Sequence, residues 1–128
     1  MKRSKRPTLV GQIKRAKIQA KNKQRDMIFL SLLKQENLPI PESEFKFCPN
    51  RRFSFDFAYI EQRIALEIEG GIYTHKMGHS SITGILRDIE KYNLAAICGW
   101  RVIRILSNEL HKKQTFELIK KALDYNFK

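Results

Sequence analysis

Two runs of alternating side chains constrain this sequence more than any other feature: Phe53 to Ile60 and Ile64 to Glu69. Successive residues of a strand point to opposite faces. In the first run Phe53, Phe55, Phe57 and Tyr59 therefore face one way and Ser54, Asp56 and Ala58 the other; in the second, Ile64, Leu66 and Ile68 oppose Ala65, Glu67 and Glu69. Burying both apolar sets on one side of a hairpin demands a register whose paired residue numbers sum to an odd value, as a two-residue loop at Glu61-Gln62 provides. Asp56 then lies opposite Glu67. Core burial alone brings Asp56, Glu67 and Glu69 onto one face.

Such a cluster is costly. Two carboxylates about 4 Å apart repel by about 4 kcal/mol at an effective dielectric near 20, a large fraction of a small domain's stability. A divalent hard cation is one compensation, because Mg²⁺ favours one or two carboxylates completed by water and phosphate oxygens. A solvated sheet face, or pairing with Arg51, Arg52 or a lysine, is the other.

The remaining pattern gives an α/β chain of order αβββαβα without internal repeats. Ile28, Phe29, Leu32 and Leu33 recur at helical spacing, with an end near Asn37 and a rigid break at Pro39 and Pro41. Phe45-Lys-Phe47 reads as a short strand and Pro49 to Arg52 as a turn. After Gly70-Gly71, a polar loop with His75, Gly78 and His79 leads to Ser80-Ser81, suitable caps for a helix that Gly99 stops as a left-handed residue. Trp100 to Leu106 alternates as a fourth strand, and Ser107-Asn108 offer a cap for a last helix striped by Phe116, Ile119 and Leu123. Along the preceding helix, Lys91 lies almost opposite Ile82, Ile85 and Ile89, as a solvated lysine would. Cys48 and Cys98, fifty residues apart, read as plain buried thiols, and Trp100 as core.

Charge is distributed unequally. Residues 1–25 carry ten of the 25 Lys and Arg and no acid, leaving fifteen bases against thirteen acids from Asp26 onward. The sequence thus divides into a basic N-terminal arm or helix, 1–25, and a nearly balanced domain, 26–128. Lys14, Arg15, Lys17 and Lys21 in the arm, with Arg51 and Arg52 in the turn before the Asp56 strand, are candidate contacts to a nucleic-acid backbone. An anionic membrane would attract the same arm, but Leu9, Val10, Ile13 and Ile18 offer little apolar surface for insertion. No apolar run is long enough to span a bilayer and no signal-peptide core follows the basic start, so a cytoplasmic protein is expected.

Asp56 in Arg-Phe-Ser-Phe-Asp-Phe-Ala, followed after ten residues by Ala-Leu-Glu67-Ile-Glu69-Gly-Gly, resembles the D-x(n)-ExK core of the PD-(D/E)XK nucleases. Glu69 stands where that superfamily usually has lysine. Through Gly-Trp-Arg-Val-Ile-Arg the stretch is similar to the very-short-patch-repair-like branch and to small endonuclease-like proteins of phages and bacteria. His79, Asp88 and Glu90-Lys91-Tyr92-Asn93 follow that branch's order and spacing, and the likeness covers about residues 26 to 106.

The resemblance implies a restriction-endonuclease-like αβββαβ core, a mixed sheet flanked by helices, in a bacterial cell or a phage-infected host. It also implies metal-dependent hydrolysis of DNA. Asp56 and Glu67 would hold Mg²⁺ or Mn²⁺ with the Ile68 carbonyl as third ligand, and Glu69 would shape the site. The missing cation would come from the neighbouring helix, with Lys91 the best placed. His79 would act as general acid or base or hold a phosphate, with Asp88 orienting it. Asp26 falls near an extra acid of some relatives, and Ser81 departs from a basic position two residues after the loop His. A double-strand cut would need a homodimer or two nicks. A non-catalytic nucleic-acid-binding protein on the same fold, favoured by the missing lysine, and a nuclease acting on RNA are the rival readings. His75 and His79 have the spacing of a metal pair only if helical, which Gly78 opposes, and Tyr73 would either stack on a base or pack.

Overall fold

The computed structural model describes residues 6–70 and 82–125. A helix, α1 (Leu9–Gln35), precedes three strands, β1 (Glu42–Lys46), β2 (Ser54–Tyr59) and β3 (Ile64–Glu69); α2 (Ile82–Ile97), β4 (Arg101–Leu106) and α3 (Lys113–Asp124) complete the chain. The sheet runs β1-β2-β3-β4. Its first three strands are antiparallel and β4 lies parallel to β3, so the fold is α/β with a mixed sheet flanked by helices.

The arm and the first helix are one continuous element. Thr8 caps it, its Oγ1 accepting the Gly11 N–H at 3.1 Å. Asn37, at φ 59°, ends it: the Leu38 N–H donates to the Leu33 carbonyl and the Asn37 N–H to that of Lys34, which satisfies the last carbonyls. At 1.5 Å per residue α1 is about 40 Å long. Only its C-terminal part is packed, through Phe29 and Leu33, while Thr8 to Gln24 is exposed apart from Gly11.

α1 and α3 cover one face, where Phe29, Leu33, Phe116 and Ile119 meet Phe57, Tyr59, Ile64, Leu66 and Ile105. α2 covers the other, where Ala95 and Trp100 meet Ala58 and Ala65. The β2–β3 pairing, Phe57 with Leu66 and Tyr59 with Ile64, has the odd-sum register that a two-residue loop gives.

Several expectations fail for identifiable reasons. Phe53 and Phe55 do not share a face with Phe57 and Tyr59. They join Phe47 and Trp100 on the α2 side, with Phe47 and Phe55 stacked at 4.1 Å between ring centroids. Alternation along β2 breaks at Asp56, whose register partner on β1 would be Glu44, and Glu44 adopts a left-handed φ of 49°. β1 begins at Glu42, three residues before the run read from the sequence. Ser107-Asn108 do not cap α3. Ser107–Glu109 form a 3-10 turn that lets Leu110 enter the core beside Phe116, and Lys112 stands at the helix start.

Cys98 is exposed rather than buried, because it is the last residue before Gly99, whose φ of 82° ends α2. Most telling, Ile82, Ile85 and Ile89 are 77 %, 50 % and 53 % exposed. The apolar stripe of α2 faces outward and the side opposite it packs on the sheet.

Candidate active site

That inversion turns Lys91 inward. Its ammonium forms an ion pair with Oε1 of Glu67, the two side chains being 16 % and 7 % exposed, and lies 5.8 Å from the centroid of the Phe55 ring. The bulky Phe47-Phe55-Trp100 cluster walls this end of the α2 face, while Ala58, Ala65 and Ala95 let helix and sheet approach closely where the pair is buried.

Glu67 is the most perturbed carboxyl on this face. Burial pushes its pKa up from the usual 4.5 to about 7, Lys91 pulls it down, and neighbouring Asp56 pushes it up again. Its buried Oε1 faces the Lys91 ammonium, which offsets its charge. Asp56 is fixed differently. Its Oδ2 accepts the Ile68 N–H at 2.7 Å across the hairpin, at the point where β2 changes face.

Glu69, two residues on, accepts from Arg104 Nε at 2.7 Å and from the Tyr92 hydroxyl at 3.4 Å. Arg104 comes from β4, whose parallel register places it beside Glu67, and its guanidinium carbon lies 5.0 Å from the centroid of the Tyr92 ring. Burial, with Glu67 and Glu69 nearby, raises the Tyr92 pKa; the hydrogen bond to Glu69 raises that of Arg104. Asp88, one turn before Tyr92 on α2, is exposed and adds negative potential at both groups.

The structure therefore brings Asp56, Glu67, Glu69 and Lys91 together on the α2 side of the sheet. Arg51 is engaged elsewhere: Nε and Nη2 grip Oε1 and Oε2 of Glu90, each at 2.9 Å, and its guanidinium lies over the Phe53 ring, tying the β1–β2 turn to α2. Arg52 is exposed in that turn, and Lys14, Arg15, Lys17 and Lys21 are exposed along α1. Asp26 pairs with adjacent Arg25 at 3.1 Å. His75, His79, Tyr73, Ser80 and Ser81 lie outside the described residues. Arg104 and Tyr92 fall within runs quoted from the sequence but were given no role there. For Arg104 the signal was the parity of β4, which puts Val102 and Arg104 on the face opposite Ile103 and Ile105.

Among the described residues no group of three or more His, Cys, Asp or Glu is placed to hold a metal. Two carboxylates suffice for Mg²⁺ when water and phosphate complete its shell, and the neighbouring Asp56 and Glu67 carboxylates are donors of the kind a hard cation takes. Among the described residues no helix is long and apolar enough to cross a membrane. No family model matches the chain, and neither the curated proteins nor the solved structures contain a match to it.

Proposed function

We propose that the chain is a small metal-dependent endonuclease that hydrolyses phosphodiester bonds of DNA, built on a restriction-endonuclease-like core of the PD-(D/E)XK type. The observation that carries the reading is Glu67: a carboxylate inside the domain, beside the second carboxylate of Asp56, with its pKa raised by burial and its charge met by the Lys91 ammonium. A buried acid so placed costs stability and is retained where its charge has work to do.

Asp56 and Glu67 would hold Mg²⁺ or Mn²⁺, with the Ile68 main chain as further ligand; the ion, when bound, activates water and offsets charge on the scissile phosphate. The chain's own residues do the rest. The Ile68 N–H keeps the Asp56 carboxylate oriented. Lys91 supplies positive charge against Glu67 in a half-buried setting where electrostatic interactions are strengthened. The exposed cations of α1, with Arg52, hold backbone phosphates and read no sequence. His79 as proton-transfer group, assisted by Asp88, belongs to the same proposal.

A second reading is supported by the same pair. Lys91 already neutralises Glu67 and Arg104 neutralises Glu69, which is how a binding module that has lost its reaction would balance these acids without a metal. Cleavage of supercoiled plasmid with Mg²⁺, Mn²⁺ or EDTA, alongside folded Asp56→Ala and Glu67→Ala, separates the two. Metal-dependent nicking or linearisation lost in both variants is the expected result. Full activity in either variant removes the site assignment, and shifted but uncut plasmid, with RNA and branched DNA also uncut, favours the binding module.

A further inference from the structure

Arg104 is an exposed cation held unusually firmly. A free arginine on a strand face samples many rotamers, yet here Nε is bound to Glu69 at 2.7 Å, the guanidinium packs against the Tyr92 ring, and the Tyr92 hydroxyl reaches the same Glu69 oxygen. An exposed ion pair contributes little to stability, so stability alone does not account for two groups, from β3 and α2, converging on the β4 guanidinium. Among the described residues Nε alone of its nitrogens is hydrogen-bonded, and the side chain is 55 % exposed, which leaves the two terminal nitrogens without a hydrogen-bond acceptor among those residues. In the parallel register Arg104 is the β4 neighbour of Glu67, one strand spacing of about 4.8 Å from the candidate reaction centre.

We propose that Arg104 is a substrate-binding residue that grips a nucleic-acid phosphodiester oxyanion with its two terminal nitrogens, and that Glu69 is a positioning residue that aims it. The inference rests on the nuclease reading for the meaning of the bound phosphate. A planar guanidinium suits the task, because one edge can bind a carboxylate while its remaining donors fork onto a phosphate. Lysine offers a single point charge and cannot serve both partners in that geometry. The Tyr92 ring limits the swing of the guanidinium, so less freedom is lost when the phosphate arrives. Glu69 thus has a use in a cluster otherwise burdened by a third negative charge: it fixes a cation at the rim, while Lys91 stays inside on Glu67.

The test measures binding of the full chain to a fluorescent DNA duplex by anisotropy over a range of salt, without divalent metal, together with cleavage kinetics in Mg²⁺. Arg104→Ala should weaken binding on the order of tenfold or more and lower the salt dependence of log K by about one phosphate contact. In cleavage the loss should appear chiefly in KM. Arg104→Lys should recover only part of it. Glu69→Gln should weaken binding while Arg104 is present and add nothing in the Glu69→Gln/Arg104→Ala double variant, an interaction that a merely structural carboxylate would not produce. Thermal unfolding of each variant identifies losses due to misfolding. Unchanged affinity and salt slope in a folded Arg104→Ala protein overturns the proposal, as does strict additivity of the two substitutions. Because binding is read without metal, a chain that cuts nothing but shows these binding changes defeats the nuclease reading and leaves Arg104 as a phosphate contact.

Discussion

At the scale of single residues, Glu67 and Lys91 hold opposing tendencies in balance. Desolvation favours the uncharged acid, and the ammonium favours the charged one. Because the Glu67 pKa in the folded state, about 7, exceeds the ordinary 4.5, the folded protein binds this proton more tightly than the unfolded chain. Stability from this group is fully present below about pH 4.5 and is lost as pH rises through 7. The loss is on the order of 3 kcal/mol between pH 4 and pH 8. Chemical denaturation of wild type and Glu67→Gln across that range should show their difference drifting against wild type by this amount, whereas a flat difference would place the Glu67 pKa at its ordinary value. Lys91→Met should act in the same direction. Without the cation the Glu67 pKa rises further, so the variant should cost about 3 kcal/mol at pH 8 and clearly less at pH 5.

At the scale of elements, α2 shows where pattern and packing part company. Ile82, Ile85, Leu86 and Ile89 form the kind of stripe that ordinarily faces a core, yet they are exposed. The inward side carries Lys91, Tyr92, Leu94 and Ala95, whose sizes suit the shallow wall of Ala58 and Ala65 beside the acids. A buried carboxylate needs a cation, and that need together with close packing outweighs the aliphatic stripe. Ile85→Lys and Ile89→Lys should each change stability by less than about 0.5 kcal/mol, while Ala95→Lys, which forces charge into the helix–sheet contact, should prevent or severely impair folding. Thermal denaturation of the three variants decides this, and severe destabilisation by Ile85→Lys would restore the inward stripe.

The same contrast runs through the strands. The period-two runs and the Glu61-Gln62 loop made the β2–β3 register and the meeting of Asp56 with Glu67 legible. Gly99 and the Phe116-Ile119-Leu123 stripe likewise marked a helix end and a helix face. The reversal of β2 at Asp56 was not legible, because Phe53, Phe55 and Phe57 look alike and the strain that accompanies the reversal sits on Glu44, a residue type that does not signal a left-handed backbone. Arg104 escaped notice for a related reason: its role depends on which strand lies beside β3, and parity within β4 says nothing about that neighbour.

At the scale of the whole molecule, charge and stability reside in different places. The packed domain begins near Phe29, where α1 first contributes buried side chains, whereas Thr8 to Gln24 projects along a helix with no core of its own. Its cations near the N-terminal end oppose the helix dipole, and no acid stands in the first turn to offset them. A polyanion laid along this segment would relieve both repulsion and dipole, so binding and helix formation should be coupled. Removing residues 1–23 takes away nine Lys and Arg and no acid, lowering the net charge from +12 to +3. The unfolding free energy should change by less than about 0.5 kcal/mol, since none of the described residues lost is buried. Duplex affinity should fall steeply, and the slope of log K against log salt should shrink by about 0.9 for each phosphate contact removed. Circular dichroism of the full chain should gain helical signal when duplex DNA is added, and the truncated chain should not. If truncation instead preserved affinity and slope, the phosphate-binding surface would have to lie on the domain itself, around Arg52 and Arg104, and the projecting helix would need another partner.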